Sequence, residues 1–256
     1  MNIGVGEFWT FTLLFTRIGM LFVAAPLLSS SAIPHMAKAG LAALLAISLT
    51  PALEPHTAPP PNDILAFATQ IAAEAAVGLA LGFLARMIFA AIEIAGSFVD
   101  LQIGFSMMNI LDPISGQSSA VISSFMSQLA LTLFLVAGGH LFLIGAVAGS
   151  YSVVGPGAAH FAGNGPDAVT AIAGQMLMLA FRIALPAAAI LLVVDVAFAI
   201  IARTVPQMNV MLVGLPLKIL VGLFTVGVVL PAMAVAIGQM TPAIGAGMHA
   251  FLLSAR

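Results

Sequence analysis

D-L-Q-I-G-F-S-M-M-N-I-L-D-P-I-S-G-Q, Asp100 to Gln117, lies between two long apolar segments and continues neither of them. Gly104, Asn109, Asp112-Pro113 and Ser115-Gly116 break helices and form turns. The side chains set among them, Ile103, Phe105, Met107, Met108, Ile110 and Leu111, are too apolar for an ordinary surface loop. Irregular backbone carries unpaired N–H and C=O groups, so it cannot face lipid; it belongs inside protein or along a wet cavity. Methionine is unbranched and polarizable and moulds itself to what it touches. The stretch therefore reads either as a soft apolar plug or as a well-packed connection between helices, and its residues alone leave both readings open.

The composition around it decides the class. Of 256 residues, 62% are apolar and 6% charged, where a soluble domain carries about 25% charged residues. That deficit excludes a water-exposed globule and places the chain among membrane proteins. Seven bases against nine acids, net −2, leave no basic face for nucleic acid. There is no cysteine, which excludes disulfides, thiolate metal sites and a cysteine nucleophile. Glu7 precedes the first apolar run and Arg17 interrupts it, which argues against a cleaved signal peptide.

Taken in order, the apolar runs predict helices at about Phe8–Leu28, Met36–Leu53, Ile64–Val99, Ala120–Tyr151, Ala168–Ala202 and from Lys218 to about Gln239. Between the second and third, E-P-H-T-A-P-P-P-N-D (Glu54 to Asp63) reads as an exposed turn, with Asn62 or Asp63 capping the next helix. Gly78-x-x-x-Gly82 in the third run is a spacing that lets helix backbones approach closely. Glu74 precedes it. Arg86, Glu93 and Asp100 follow at seven-residue intervals, nearly two helical turns, and predict one polar stripe on an apolar rod. Such a stripe is expensive against lipid, so it is expected to face protein or water, through internal ion pairing or a direct role. The fourth run is interrupted by Gly138-Gly139-His140 and carries Gly145-x-x-x-Gly149; His140 reads as a hydrogen-bonded structural residue rather than a titrating one. Arg182, Asp195 and a kinking Pro186 fall in the fifth run. A second polar interruption, R-T-V-P-Q-M-N-V-M-L-V-G-L-P-L-K, runs from Arg203 to Lys218 and contains Pro206 and Pro216; after the last run, Pro242 and two glycines precede a short tail. The fold class predicted is all-α: a polytopic membrane-type protein of long helical hairpins broken by glycine and proline, with residues 1–256 as one domain.

No H-E-x-x-H is present and the five histidines lack ligand spacing; Walker A and Rossmann glycine patterns are also absent. Ser115-Gly116 with His140 or His249 is the best serine–base pairing on offer, and Ser-Gly is also ordinary turn chemistry.

A set of longer stretches narrows the choice: A-P-L-L-S-S-S-A-I-P at Ala25 to Pro34, E-A-A-V-G-L-A-L-G-F at Glu74 to Phe83, and A-G-S-F-V-D-L-Q-I-G-F-S-M at Ala95 to Met107 with Asp112-Pro113 after it. They continue with Gly139-His140, R-T-V-P-Q-M-N-V at Arg203 to Val210, and G-L-P-L-K at Gly214 to Lys218. In this order they resemble the FliR family, flagellar export-gate membrane proteins with relatives in type III secretion. The resemblance covers about Arg17 to Leu223, and the short termini look more like the flagellar branch than the virulence-secretion branch.

The resemblance implies a non-enzymatic, cofactor-free and metal-free subunit of the bacterial inner membrane at the flagellar basal body. It implies assembly with FliP and FliQ, contact with FlhB and FlhA, and passage of unfolded flagellar proteins. The stretch from about 104 to 119 would project into the pore, with Phe105, Met107, Met108, Asn109, Ile110 and Leu111 lining the gate and Asp112-Pro113 shaping the turn. Glu74, Arg86, Glu93, Asp100, Arg182, Asp195, Arg203 and Lys218 would be structural or interface charges. Three alternatives stand beside it: the equivalent subunit of an injectisome, a small-molecule or ion secondary transporter built on broken helices, and an intramembrane serine hydrolase.

Overall fold

The computed structural model describes residues 4–26, 33–104, 120–160, 165–205, 207 and 210–255. Among them run seven α-helices: α1 Val5–Ala24, α2 His35–Leu53, α3 Ile64–Ile103, α4 Val121–Val136, α5 Gly139–Val153, α6 Gly165–Thr204 and α7 Val210–Ser254; a short 3-10 turn, Glu54–His56, follows α2. The all-α expectation is met. Helices α1, α2 with its 3-10 turn, α3, and most of α6 and α7 are each long and apolar enough to cross a membrane. Helices α4 and α5 bend by 67° and make one further span if taken together. The bend falls where Gly138 takes φ +76°, a left-handed conformation open to glycine.

Helix boundaries depart from expectation mainly at prolines. Pro216, Pro231 and Pro242 all lie inside α7, so neither Pro216 nor Pro242 ends a helix, and the interruption after Arg203 is far shorter than expected. Pro186 likewise sits within an unbroken α6. A proline removes one N–H from the ladder, but breaking the helix would strand many more backbone groups in apolar surroundings, and the second cost wins.

The described chain divides into two compact units. The first takes Met1–Met87, Leu135–Ala173 and Met240–Arg256, the second Ile88–Phe134 and Gly174–Gln239. In the first unit, Leu13, Leu14, Ile18 and Leu21 of α1 are fully buried, as are Val77 and Leu81 of α3. The helices can meet so closely because Gly78 and Gly82 lie in the contact. A Cβ on Gly78 would strike the Arg17 carbonyl, and one on Gly82 would stand 2.6 Å from Ala24 Cβ. The Glu54–Asp63 turn, expected to be merely exposed, is tied down: Thr10 Oγ1 donates to Thr57 Oγ1 at 3.1 Å, and the Ala58 N–H donates to the Pro156 carbonyl at 3.0 Å. Asp63 caps α3 through its backbone, its carbonyl accepting from the Phe67 N–H at 3.0 Å.

In the second unit, Ile92, Ala95 and Val99 of α3 are buried, as are Val226, Val229 and Met233 of α7. Phe89 meets Phe134 edge-on, with ring centroids 5.3 Å apart. Gly96 lets α3 approach α4: an added Cβ would stand 2.5 Å from Ser123 Cα.

These contacts predict the outcome of two valine substitutions. Gly78→Val has no room beside the Arg17 backbone. Overpacking of this kind costs about 1–3 kcal/mol, and it is expected to lower the melting temperature of the detergent-solubilised chain by at least ~2 °C. Gly145→Val, at a position with nothing within 4 Å of its would-be Cβ, is expected to melt as the parent does. Equal melting of the two variants would show that the Gly78 contact carries no packing role.

Candidate functional site

Two polar clusters stand out against the apolar background, one in each unit. In the first, Glu74 lies one turn before Gly78, so the face of α3 that touches α1 also carries its carboxylate to Arg17. Arg17 Nε donates to Glu74 Oε2 at 2.6 Å and Nη2 donates to Oε1 at 3.0 Å, with both side chains fully buried. Arg17 Nη1 donates to Ser150 Oγ at 2.9 Å and to the Val154 carbonyl at 3.1 Å. The guanidinium lies 4.3 Å from the centre of the Tyr151 ring. Glu74 Oε1 also accepts from the Gly157 N–H at 2.8 Å. This pairing joins α1, α3, α5 and the 154–157 loop, and it offers no open face to a ligand.

The second cluster stands at the C-terminal end of α3. Asp100 is buried, 3% exposed, and its Oδ1 and Oδ2 accept from the backbone N–H groups of Ile122 and Ser123, each at 2.9 Å. These are among the unpaired donors that open α4, so Asp100 caps that helix from another one, where both hydrogen bonding and the helix dipole favour an anion. Ser123 Oγ donates to the Glu93 carbonyl at 3.0 Å. Gly104, at φ +96°, closes α3 with its N–H on the Asp100 carbonyl at 3.1 Å. Lys218 of α7 donates to the Gln102 carbonyl at 3.2 Å and pairs with Asp195 of α6, placing a cation where α3 leaves carbonyls unpaired. Ile103, fully buried, packs against Gly222. The residues on either side of the Phe105–Ser119 stretch are thus held by one carboxylate and one ammonium.

The expected site residues therefore separate. Phe105, Met107, Met108, Asn109, Ile110, Leu111, Asp112 and Pro113 lie outside the described residues, as does Ser115. The seven-residue stripe does not act as a unit: Asp100 is buried as a cap, whereas Arg86 and Glu93 are exposed on the chain. Neither of those two forms an ion pair among the described residues. Arg182 and Arg203 are exposed as well, while Asp195 and Lys218 pair at the surface of their unit. His140 departs from expectation, since its buried Nδ1 has no hydrogen-bond partner among the described residues. Arg17 is the residue that sequence reasoning passed over. Its signal was a lone base in an apolar run, which requires a counter-charge, but nothing in the spacing says which acid supplies it.

Among the described residues, no group of three or more acids and histidines is placed to hold a metal ion. What the arrangement defines is a polytopic, all-helical membrane protein whose polar side chains brace helices and cap their ends. The profile of bacterial export proteins, family 1, matches residues 8–243. Flagellar biosynthetic protein FliR of Bacillus subtilis (strain 168) is 37% identical over 231 residues, 86% of each chain. Flagellar biosynthetic protein FliR of Escherichia coli (strain K12) is 31% identical over 222 residues, 85% of this chain and 83% of that one. Yop proteins translocation protein T of Yersinia pestis is 30% identical over 215 residues, 82% and 81% of the two chains. The chain belongs to the FliR family of bacterial export proteins.

Proposed function

We propose that the chain is a subunit of the flagellar type III export gate in the bacterial inner membrane, at the flagellar basal body. In this reading it assembles with FliP and FliQ, meets FlhB and FlhA, and passes unfolded flagellar proteins without catalysing a reaction of its own. The 104–119 stretch is its plug. The observation that carries the reading is the family match across residues 8–243 together with the 37% identity to a flagellar relative. The surface supports it. Arg86, Glu93 and Arg182 are exposed on long apolar helices, and a charge facing hydrocarbon costs about 2.5–3.5 kcal/mol even on insertion scales. Protein partners remove that cost. Phe224 at 71% exposed and Leu220 at 65% add apolar surface on the same footing.

An apolar, deformable closure suits the task, because it excludes water and ions at rest and accepts any side chain in transit. The injectisome variant has its own support in the Yersinia relative at 30% identity, below the 37% of the Bacillus FliR. Affinity isolation in mild detergent tests the reading: FliP and FliQ are expected to be retained with the tagged chain. Recovery of the chain alone, folded and monodisperse, would remove it. Recovery with injectisome subunits would reassign it to the other branch.

A further inference from the structure

Helix α6 carries an uncovered seam with one charge in it. Within the second unit, Met178, Arg182, Leu185, Ala189, Leu192 and Val196 are all exposed. They follow one another at intervals of four, three, four, three and four residues. That is the spacing of a stripe that packs against a second helix. Leu185 is 60% exposed and Leu192 57%, so nothing among the described residues covers the stripe. Arg182 is its lone charge: no other charged residue occurs from Ala168 to Val194. It forms no ion pair and no hydrogen bond among the described residues. A guanidinium keeps its charge, so amid apolar side chains it requires an anion from outside the chain.

The chemistry of the seam narrows the source of that anion. A second copy laid on through the same stripe brings another arginine and no carboxylate, because Met178 to Val196 along the stripe includes no acid. A lipid headgroup answers the charge but gives the alternation of three and four no role. A helix of another chain answers both. Its apolar side chains fill the gaps between Met178, Leu185, Leu192 and Val196, and its carboxylate meets Arg182. One polar position in such a seam also sets the register of the two helices.

We infer that this seam seats an apolar helix of a different polypeptide, with an aspartate or glutamate placed against Arg182. The pair decides which turn of the partner meets which turn of α6, since sliding by one turn leaves two charges unpaired in apolar surroundings. Ala189, the small residue one heptad beyond Arg182, lets the two backbones come close. The inference rests on the export-gate reading in one respect, that subunits of other sequence surround this chain.

Photo-cross-linking in the intact assembly tests it, with a benzophenone amino acid in place of Leu185 in the full chain, made in cells alongside its natural partners. The expected adduct joins this position to an apolar helix of another protein, within about four residues of an aspartate or glutamate, the reach of one helical turn. Arg182→Glu is expected to lower the yield of that adduct at least about tenfold, as loss of one partner from a buried charge pair does. Arg182→Lys is expected to retain most of it, and a lysine in place of the partner's acid is expected to restore the yield with Arg182→Glu. Should Arg182→Glu misfold, the position of the acid in the parent adduct decides alone. An adduct with no acid in reach, an adduct with a second copy of this chain, or labelled lipid in place of protein overturns the inference. An adduct with FliP or FliQ that lacks the acid removes the seam and leaves the export reading standing. An acid-bearing helix from outside the export apparatus supports the seam and removes that reading.

Discussion

Glu74→Ala is expected to destabilise the chain by about 3–5 kcal/mol, the usual consequence of removing one partner from a fully buried ion pair. The reason lies in what stays behind. Arg17 keeps its contacts to Ser150 Oγ and the Val154 carbonyl, but Nε and Nη2 lose both acceptors at a site with no solvent exposure. The Gly157 N–H loses its acceptor too. A guanidinium does not escape by deprotonation, so its desolvation goes unrelieved. Removing both charges together, as Arg17→Met with Glu74→Met, is expected to recover most of the loss, since apolar replacement of a buried pair is often neutral. Thermal or denaturant unfolding in detergent measures both variants. A Glu74→Ala loss below about 1 kcal/mol, the range of an exposed pair, would mean that water reaches Arg17.

That pair also marks how far the sequence could be read. The all-helical class and most helix starts follow from apolar runs of bilayer length, because a membrane admits few alternatives to a helix. The Gly78-x-x-x-Gly82 spacing pointed to a close helix contact, and both glycines are packed against α1. Helix ends were harder. Pro216 and Pro242 look like breakers in a soluble context, yet α7 runs through both, because an apolar environment raises the cost of unpaired backbone. Partners were harder still. The seven-residue spacing of Arg86, Glu93 and Asp100 is real, but side chains two turns apart meet different neighbours: α4 begins beside Asp100, whereas Arg86 and Glu93 are exposed on this chain. Lys218 was grouped with an irregular stretch and instead stands two turns into a helix, bonded to the end of α3. Such long-range pairings leave no trace in local spacing.

Deleting Met107 to Leu111 is expected to raise ion and small-solute leakage through the assembled gate several-fold while leaving assembly with its partners intact. The separation is possible because the anchors of this stretch lie outside it. Asp100 holds Ile122 and Ser123, and Lys218 holds Gln102, so the deletion removes apolar closing surface and leaves both mounts in place. Leakage in this reading is set by an apolar constriction that excludes water. Asp100→Ala makes the opposite cut: it keeps every plug side chain and leaves two buried N–H groups without acceptors, at about 1–3 kcal/mol each. It is expected to leak as well, and to lower the stability of the chain, which the deletion is not. Conductance of vesicles carrying the purified gate, with co-isolation as the control for assembly, separates the cases. An assembled deletion gate as tight as the parent would reject the plug. Leakage from the deletion alone, with Asp100→Ala tight, would keep the plug and show that the cap on α4 serves only the fold.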